Sequence, residues 1–257
     1  MLVASNLRKE FSTPAGPVVA IGNISFEVAE SAFVSIVGPS GAGKTTLLRC
    51  LSGLETPTSG AVTLNGDVVQ GPPDGLAVVF QDYTRSLLPW FSVRRNVAFA
   101  LEGKVPKDEI RKRVDEAVTA VGLAHAKDRL PWQLSGGMQQ RAAIARAIAY
   151  RPKILLMDEP FASVDAQTRI DLEDLILKVQ RQYNMTVLFV THDIDESVYL
   201  SDEVVVLSAS PSAVSEIVPI SLPRDRDQFH TKELPAYTDL RNKILHLVRG
   251  SKWEAVH

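Results

Sequence analysis

The chain has 257 residues, 45% of them hydrophobic, so it can bury a substantial core as one large domain or two modest ones. Its net charge of -2 and isoelectric point near 6.2 give no electrostatic reason to expect nucleic acid as the main partner. No run approaches the roughly 20 apolar residues of a membrane span, and the first residues lack a signal-peptide core, so we expect other chains to supply any membrane anchor. The single cysteine, Cys50, lies among leucines and is predicted to be a buried apolar residue in a reducing cytosol.

Two stretches of alternating apolar residues open the chain, at residues 2–11 and 18–29, and predict strands of a half-exposed sheet. Phe11 ends the first of them. An isolated aromatic residue in such a strand is most simply a core residue, so the pattern by itself gives Phe11 no other role.

Residues 38–46 contain the pattern G-x-x-x-x-G-K-[ST], between an apolar run typical of a buried strand (32–37) and a stretch with helical spacing (45–51). The two inner glycines allow successive backbone N–H groups to converge on phosphates at a helix N-terminus. Lys44 adds a positive charge for the β- and γ-phosphates, and the Thr45 hydroxyl is placed to bind Mg²⁺. The sequence therefore predicts a nucleoside triphosphate site formed by Gly38, Pro39, Ser40, Gly41, Ala42, Gly43, Lys44, Thr45 and Thr46.

Asn65 and Gly66 lie between two runs with β propensity and predict a hairpin. Residues 76–80 (LAVVF) then predict a buried strand that ends at Gln81. A glutamine at the carboxyl end of such a strand can reach a metal ion or an attacking water, although taken alone it would be an ordinary surface amide.

The segment 82–101 has a different character, because large apolar side chains surround Pro89, where a helix is interrupted. These residues either pack under a small subdomain or are offered to a partner, and the sequence leaves both readings open. They are Leu87, Leu88, Trp90 and Phe91. Residues 107–121 predict an amphipathic helix capped by Gly122, and we expect residues 92–150 to form a mostly helical insertion.

Residues 134–141 (LSGGMQQR) run directly into an alanine-rich helix. Ser135 is a good N-cap, and Gly136 and Gly137 leave the first backbone N–H groups open to an anion. This pattern predicts a second phosphate-binding site.

Residues 154–160 (ILLMDEP) predict a buried strand that ends in two carboxylates, with Asp158 placed to hold Mg²⁺ and Glu159 placed to act as general base on the attacking water. A helix is predicted from about residue 167 to 183 and another buried strand at residues 186–190. His192 follows that strand and is expected at the same edge as Gln81, Asp158 and Glu159, where an imidazole can hydrogen-bond the γ-phosphate or its water. Beyond one more strand at 204–207, residues 237–249 predict a helix packed on the core.

Taken together, these motifs resemble the ATP-binding subunit of an ABC transporter over nearly the whole chain. Residues 38–46 match the Walker A loop and 154–159 the Walker B strand. Phe11 falls where the family places an adenine-stacking aromatic residue. The remaining matches are Gln81 with the Q-loop, Ser135 to Gln139 with the signature, Ser163 to Asp165 with the D-loop, and His192 with the switch histidine.

The resemblance implies an α/β fold with a RecA-like phosphate-loop NTPase core, an N-terminal antiparallel β subdomain and an inserted α-helical subdomain. It places the core at residues 1–91 and 151–220, the helical subdomain at 92–150 and a helical tail at 221–257. It also implies ATP and Mg²⁺ as cofactors, with Thr45, Gln81 and Asp158 as metal ligands and Ser163 and Asp165 in dimer communication. Two chains would dimerise head to tail, each ATP lying between the Walker A loop of one and the signature of the other, which comprises Ser135, Gly136, Gly137 and Gln139.

Residues 78–81, 87–101 and 191–208 resemble the nitrate, sulfonate and taurine import branch. This implies a separate membrane permease, a solute-binding protein acting with it, and a position at the cytoplasmic face of the membrane. The segment with Trp90 would then contact the permease's coupling helix. An exporter cassette, a soluble ABC ATPase and a phosphate-loop small-molecule kinase are the alternatives, and the solute and the identity of the second cassette stay open.

Overall fold

The computed structural model describes residues 1–82 and 86–253, with side chains up to residue 250. The chain forms two compact units, one containing residues 1–74 and 186–257 and the other residues 75–185. The strands are β1 Leu2–Thr13, β2 Gly16–Val28, β3 Phe33–Val37, β4 Ser59–Leu64, β5 Asp67–Val68, β6 Leu76–Val79, β7 Ile154–Asp158, β8 Thr186–Val190, β9 Glu203–Leu207 and β10 Ser212–Pro219. The helices are α1 Lys44–Leu51, α2 Val93–Phe99, α3 Lys107–Ala120, α4 Gly136–Ala149, α5 Ala166–Tyr183, α6 Ile194–Leu200, α7 His230–Glu233 and α8 Pro235–Trp253.

In the first unit the strands follow the order β5-β4-β1-β2-β10-β9-β3-β8. Strands β3 and β8 are parallel and buried at every position, as their unbroken apolar runs predict. Strands β1, β2, β4 and β5 pair antiparallel and form the expected N-terminal β subdomain. The hairpin between β4 and β5 is confirmed, because Asn65 (φ 52°) and Gly66 (φ 94°) have the positive φ angles that its turn requires.

In the second unit β6 pairs parallel with β7, and helices α2 to α5 belong to the same unit. Helix α3 buries Val114, Ala117 and Val118 on one face, which confirms the predicted amphipathic pattern. Gly122 follows it with φ 74°, a conformation that favours glycine. The two units divide the chain after residues 74 and 185. The subdomain boundaries that the resemblance places at residues 91 and 150 stay a prediction. Within the described ranges, no helix is long and apolar enough to cross a bilayer.

Candidate nucleotide site

The phosphate loop of the first unit connects β3 to α1 and has the predicted backbone form. Gly41 (φ 82°) and Gly43 (φ 72°) both lie in the left-handed region, which L side chains rarely adopt. A Cβ atom on Gly43 would also lie 2.6 Å from the carbonyl oxygen of Ala20, whereas one on Gly41 would meet nothing within 4 Å. Gly41 is therefore needed for its φ angle, and Gly43 for its φ angle and for the space it leaves to β2.

Lys44 is the first residue of α1 and is buried inside the loop. Its Nζ donates to the carbonyl oxygens of Gly38 at 3.0 Å and Pro39 at 3.2 Å. These two bonds hold the ammonium at the N-terminus of α1, where the helix dipole also favours an anion. Thr45, the next residue, is exposed, so its hydroxyl can be reached by a metal ion.

The β1–β2 ribbon adjoins this loop through Ala20. Phe11 pairs with Val18 on that ribbon and is 38% exposed, so it is not the core residue that its isolated pattern suggested. The Nζ of Lys9 lies 4.9 Å from the centre of the Phe11 ring. An exposed ring on a ribbon packed against a phosphate loop is suited to stack on a base.

His192 belongs to the same unit as the phosphate loop. The parallel pairing of β3 with β8 sets Ile36 opposite Val190, and the backbone N–H of Thr191 donates to the Ile36 carbonyl oxygen at 3.2 Å. The imidazole is exposed and follows β8 at the edge where β3 runs into the loop. His192 therefore lies at the carboxyl edge of β3 and β8, while its predicted position beside Gln81, Asp158 and Glu159 and its contact with nucleotide stay predictions.

Gln81, Asp158 and Glu159 meet at one edge of the second unit. Parallel pairing aligns Val79 with Met157, and Gln81 Nε2 donates to Glu159 Oε2 at 3.2 Å. Asp158 is buried, and Glu159 has φ 42°, which is uncommon for a residue with a side chain. Strained backbone of this kind occurs at functional sites, where the surrounding structure maintains it. Asp158 and Gln81 carry oxygen atoms of the kind that Mg²⁺ takes as ligands.

The signature segment caps α4 of the second unit. Ser135 Oγ accepts a hydrogen bond from the backbone N–H of Met138 at 3.4 Å, and Gln139 Nε2 donates to the Leu134 carbonyl oxygen at 3.3 Å. Helix α4 begins at Gly136, and the next glycine, Gly137, has a steric role. A Cβ atom there would lie 2.3 Å from Cγ2 of Thr168.

Thr168 links the signature helix to the D-loop, a connection that the sequence did not reveal. Asp165 Oδ1 accepts from the Thr168 backbone N–H at 3.0 Å, and Oδ2 accepts from the Thr168 hydroxyl at 2.7 Å. These bonds to Thr168 hold the pKa of the Asp165 carboxyl below its usual value. Ser163 lies exposed two residues before Asp165. The Asp-x-x-Thr spacing at the start of a helix is typical of an N-cap, and it could have predicted the bond between Asp165 and Thr168.

In the segment predicted to contact a permease, some of the apolar side chains are buried and others are exposed. Leu87 is only 2% exposed and lies in the core of the second unit, so its assignment to a contact surface is corrected. Trp90 is 68% exposed. Phe91 is half-buried, with its ring centre 6.2 Å from that of Trp90 and 6.0 Å from that of Phe99, which is itself 50% exposed.

Asn96 organises this turn and was missed at the sequence level. Its Oδ1 accepts from the backbone N–H of Leu88 at 2.8 Å, and its Nδ2 donates to the carbonyl oxygens of Leu88 at 3.1 Å, Phe91 at 2.9 Å and Ser92 at 3.2 Å. Leu88 is half-buried. A buried amide with this many backbone contacts fixes the turn, and with it the exposed Trp90.

Comparison with known proteins decides the family. The family model described as "ABC transporter" matches residues 21–162, which include the phosphate loop, Gln81, the signature segment and both strand-end carboxylates. The chain belongs to the ABC transporter family. A nitrate import ATP-binding protein, NrtD of Synechococcus elongatus, is 44% identical over 241 residues, which cover 92% of this chain and 87% of that protein.

A bicarbonate transport ATP-binding protein, CmpC of Synechocystis sp., is 42% identical over 98% of this chain, although the chain spans only 38% of that protein's length. Among solved structures, the dimeric ATP-binding cassette MJ0796, in a post-hydrolysis state bound to ADP and Pi, superposes with a TM-score of 0.74 at 30% identity. That match covers 86% of this chain and 99% of the other. The predicted fold class and the ABC ATPase assignment are therefore confirmed, and the chain is an ATP-binding, ATP-hydrolysing transporter subunit.

Proposed function

We propose that this subunit powers the import of a small oxyanion, such as nitrate or bicarbonate, through a separate permease by ATP-driven head-to-tail dimerisation. One observation carries the dimer argument. Among the helices of the described residues, α1 and α4 both begin at a glycine-opened N-terminus, but only α1 follows a Walker A loop. Because the second N-terminus is also suited to phosphate, it completes the nucleotide site of another copy. The dimeric cassette bound to ADP and Pi supports this arrangement.

ATP binding has three parts in this proposal. The Walker A loop and Lys44 hold the β- and γ-phosphates, and Phe11 stacks on adenine. The signature residues of the second copy, Ser135, Gly136, Gly137 and Gln139, close on the γ-phosphate. Since ATP bridges the two copies only in the closed dimer, its binding stabilises that state by mass action.

Hydrolysis uses the residues at the strand ends. Thr45, Gln81 and Asp158 supply oxygen ligands to Mg²⁺, which neutralises charge on the phosphates when bound. Glu159 accepts the proton of the attacking water, and the 3.2 Å bond from Gln81 orients its carboxylate. His192 hydrogen-bonds the γ-phosphate. Phosphate release removes the bridge and reopens the dimer, with Ser163 and Asp165 communicating between copies.

The exposed aromatic residues carry the proposed coupling to the permease. Trp90, Phe91 and Leu88 form this contact, and the neighbouring Phe99 extends the same apolar surface. Exposed aromatic side chains on a rigid turn are typical anchors of an interface. A subunit held by a permease in this way would lie at the cytoplasmic face of the membrane and act with a solute-binding protein.

The solute and the direction of transport are tested by uptake in cells that lack the chain. We expect cells complemented with the wild-type chain to accumulate isotope-labelled nitrate or bicarbonate, and cells complemented with Glu159→Gln to fail although the variant protein is present. Purification of the chain from native membranes should bring down a permease, identified by mass. Greater accumulation of solute without the chain would indicate an exporter and contradict the import proposal.

A further inference from the structure

His192 lies in a three-residue connection between β8 and α6 that is fixed by a partly buried hydrogen-bond network. The hydroxyl of Thr191 donates to Glu196 Oε2 at 2.6 Å, and both residues are buried. The backbone N–H of Asp193 donates to that same hydroxyl oxygen at 3.0 Å, and the Glu196 N–H donates to Asp193 Oδ1 at 3.2 Å. The residues on both sides of His192 are therefore tied to the first turn of α6, and movement of α6 would move the imidazole.

The first turn of α6 is in turn held by the C-terminal helix α8. Arg241 Nε donates to Asp195 Oδ1 at 2.9 Å. The buried Tyr237 places its hydroxyl 3.1 Å from the carbonyl oxygen of Asp195 and 3.2 Å from its Oδ1, and donates to these acceptors. Asp195 is three residues beyond His192, so two side chains of α8 bind the helical turn that carries the histidine.

The other end of α6 is held by the segment that leads to α8. Arg226 donates through Nη1 to the carbonyl oxygen of Tyr199 at 2.6 Å and through Nη2 to that of Ser201 at 2.7 Å. Carbonyls at a helix C-terminus lack partners within the helix, and a cation there also complements the helix dipole. The Nζ of Lys232 lies 4.9 Å from the ring centre of Tyr199. Contacts from residues 226–241 thus restrain α6 at both ends.

We propose that this C-terminal segment, residues 226–241, is a clamp that sets the position of His192, and that Tyr237, Arg241 and Arg226 are positioning residues for ATP hydrolysis. The proposal rests on the proposed role of His192 at the γ-phosphate. Loss of the clamp lets α6 shift, and displacement of a reacting group by about 1 Å can lower a rate about 10²-fold. The bonds that hold Lys44 in the Walker A loop involve none of these residues, so ATP affinity should change little.

The test compares two ion pairs made by the same helix. Arg241→Met removes the pair with Asp195 on α6, while Lys243→Met removes a pair of similar exposure with Glu216 on β10. We expect Arg241→Met to lower kcat about 10-fold with little change in KM for ATP, and Lys243→Met to leave both close to wild type. Arg241→Lys should restore part of the rate, and Tyr237→Phe, which removes only a hydroxyl, should lower kcat as Arg241→Met does.

A second arm removes the histidine. In a His192→Ala background, Arg241→Met should cause no further loss, because both changes act through one imidazole. Independently of activity, hydrogen exchange at the backbone amides of Thr191, His192 and Asp193 should be faster in Arg241→Met than in Lys243→Met. Equal effects of the two methionine variants on kcat or exchange, or additive losses in the double variant, would overturn the clamp.

The outcomes also separate this proposal from the function on which it rests. If the wild type hydrolyses ATP and His192→Ala slows it while Arg241→Met does not, only the clamp is wrong. A His192→Ala variant as fast as wild type would overturn both the role of the histidine and the clamp, while leaving the ATPase intact. A purified wild-type subunit without ATPase activity would contradict the proposed function, and the hydrogen-exchange comparison would still decide whether α8 restrains the connection.

Discussion

Leu87 and Trp90 are three residues apart, yet the structure predicts opposite consequences for their removal. Leu87→Ala empties a core position that is 2% exposed, and such changes cost about 2–5 kcal/mol of unfolding free energy. In a chain of this size, that corresponds to a fall of roughly 5–15 °C in melting temperature. Trp90 is 68% exposed, so Trp90→Ala should change the unfolding free energy by no more than about 0.5 kcal/mol.

For assembly with the permease, Trp90→Ala should be the more damaging of the two changes. If Trp90 is an anchor of that interface, its truncation should cost about 2 kcal/mol or more of binding free energy, which is about a 30-fold loss of affinity. Thermal melting of the purified subunit and titration of the permease in detergent measure the two quantities separately. Trp132→Ala is the matched control, because Trp132 is 71% exposed in the same unit but lies outside this segment, on the turn Pro131–Gln133.

Two results would contradict this division between a core leucine and a contact tryptophan. A melting temperature for Trp90→Ala as low as that for Leu87→Ala would mean that the indole supports the fold. Equal losses of permease affinity in Trp90→Ala and Trp132→Ala would mean that the effect is not specific to this surface.

Three further predictions concern single sites. Lys44→Ala should weaken ATP binding to the monomer because it removes a phosphate-binding charge, whereas Ser135→Arg or Gly136→Asp should leave that binding intact and block dimerisation. Equal losses of ATP affinity in fluorescent-ATP titrations of these variants would contradict the division of the site between two copies. Burial raises the pKa of the Cys50 thiol to about 11, so the thiol should lose its proton at lower pH in the unfolded state than in the folded state. The free energy of unfolding should therefore fall as pH rises from about 9 to about 11. Urea titrations at several pH values measure this fall, which should be smaller in Cys50→Ala. Gln140 is buried and, in the described part of the chain, neither of its amide atoms has a hydrogen-bond partner. Gln140→Met should therefore have a melting temperature no lower than that of the wild type. A melting temperature several degrees lower would show that the amide makes hydrogen bonds in solution.

Local patterns were enough for the nucleotide motifs. The Walker A loop depends on glycines with positive φ angles, which are determined by the loop itself and not by distant contacts. The Asn65–Gly66 turn and the apolar face of α3 also follow from residues that are close in sequence. The edge shared by Gln81 and Glu159 also followed from the sequence, because parallel strands bring their carboxyl ends together.

Tertiary contacts account for what the sequence did not reveal. Leu87 and Trp90 have the same apolar character, and only packing within the second unit separates them. Strand β10 and helix α6 went unrecognised, since β10 is stabilised by pairing with β9 and β2, and α6 has only seven residues. The contacts of Arg226, Tyr237 and Arg241 with α6 join positions 27 to 46 residues apart, which no local pattern encodes.

In the proposed mechanism, ATP joins two copies of the chain through the Walker A loop of one and the signature of the other. Glu159→Gln should slow hydrolysis about 10²–10⁴-fold, so that the ATP-bound state accumulates. Light scattering coupled to size exclusion then measures its mass directly. We expect a monomer without nucleotide, a dimer with MgATP, and a monomer with MgATP when Ser135→Arg is added. A Glu159→Gln variant that binds MgATP and remains monomeric would contradict this mechanism.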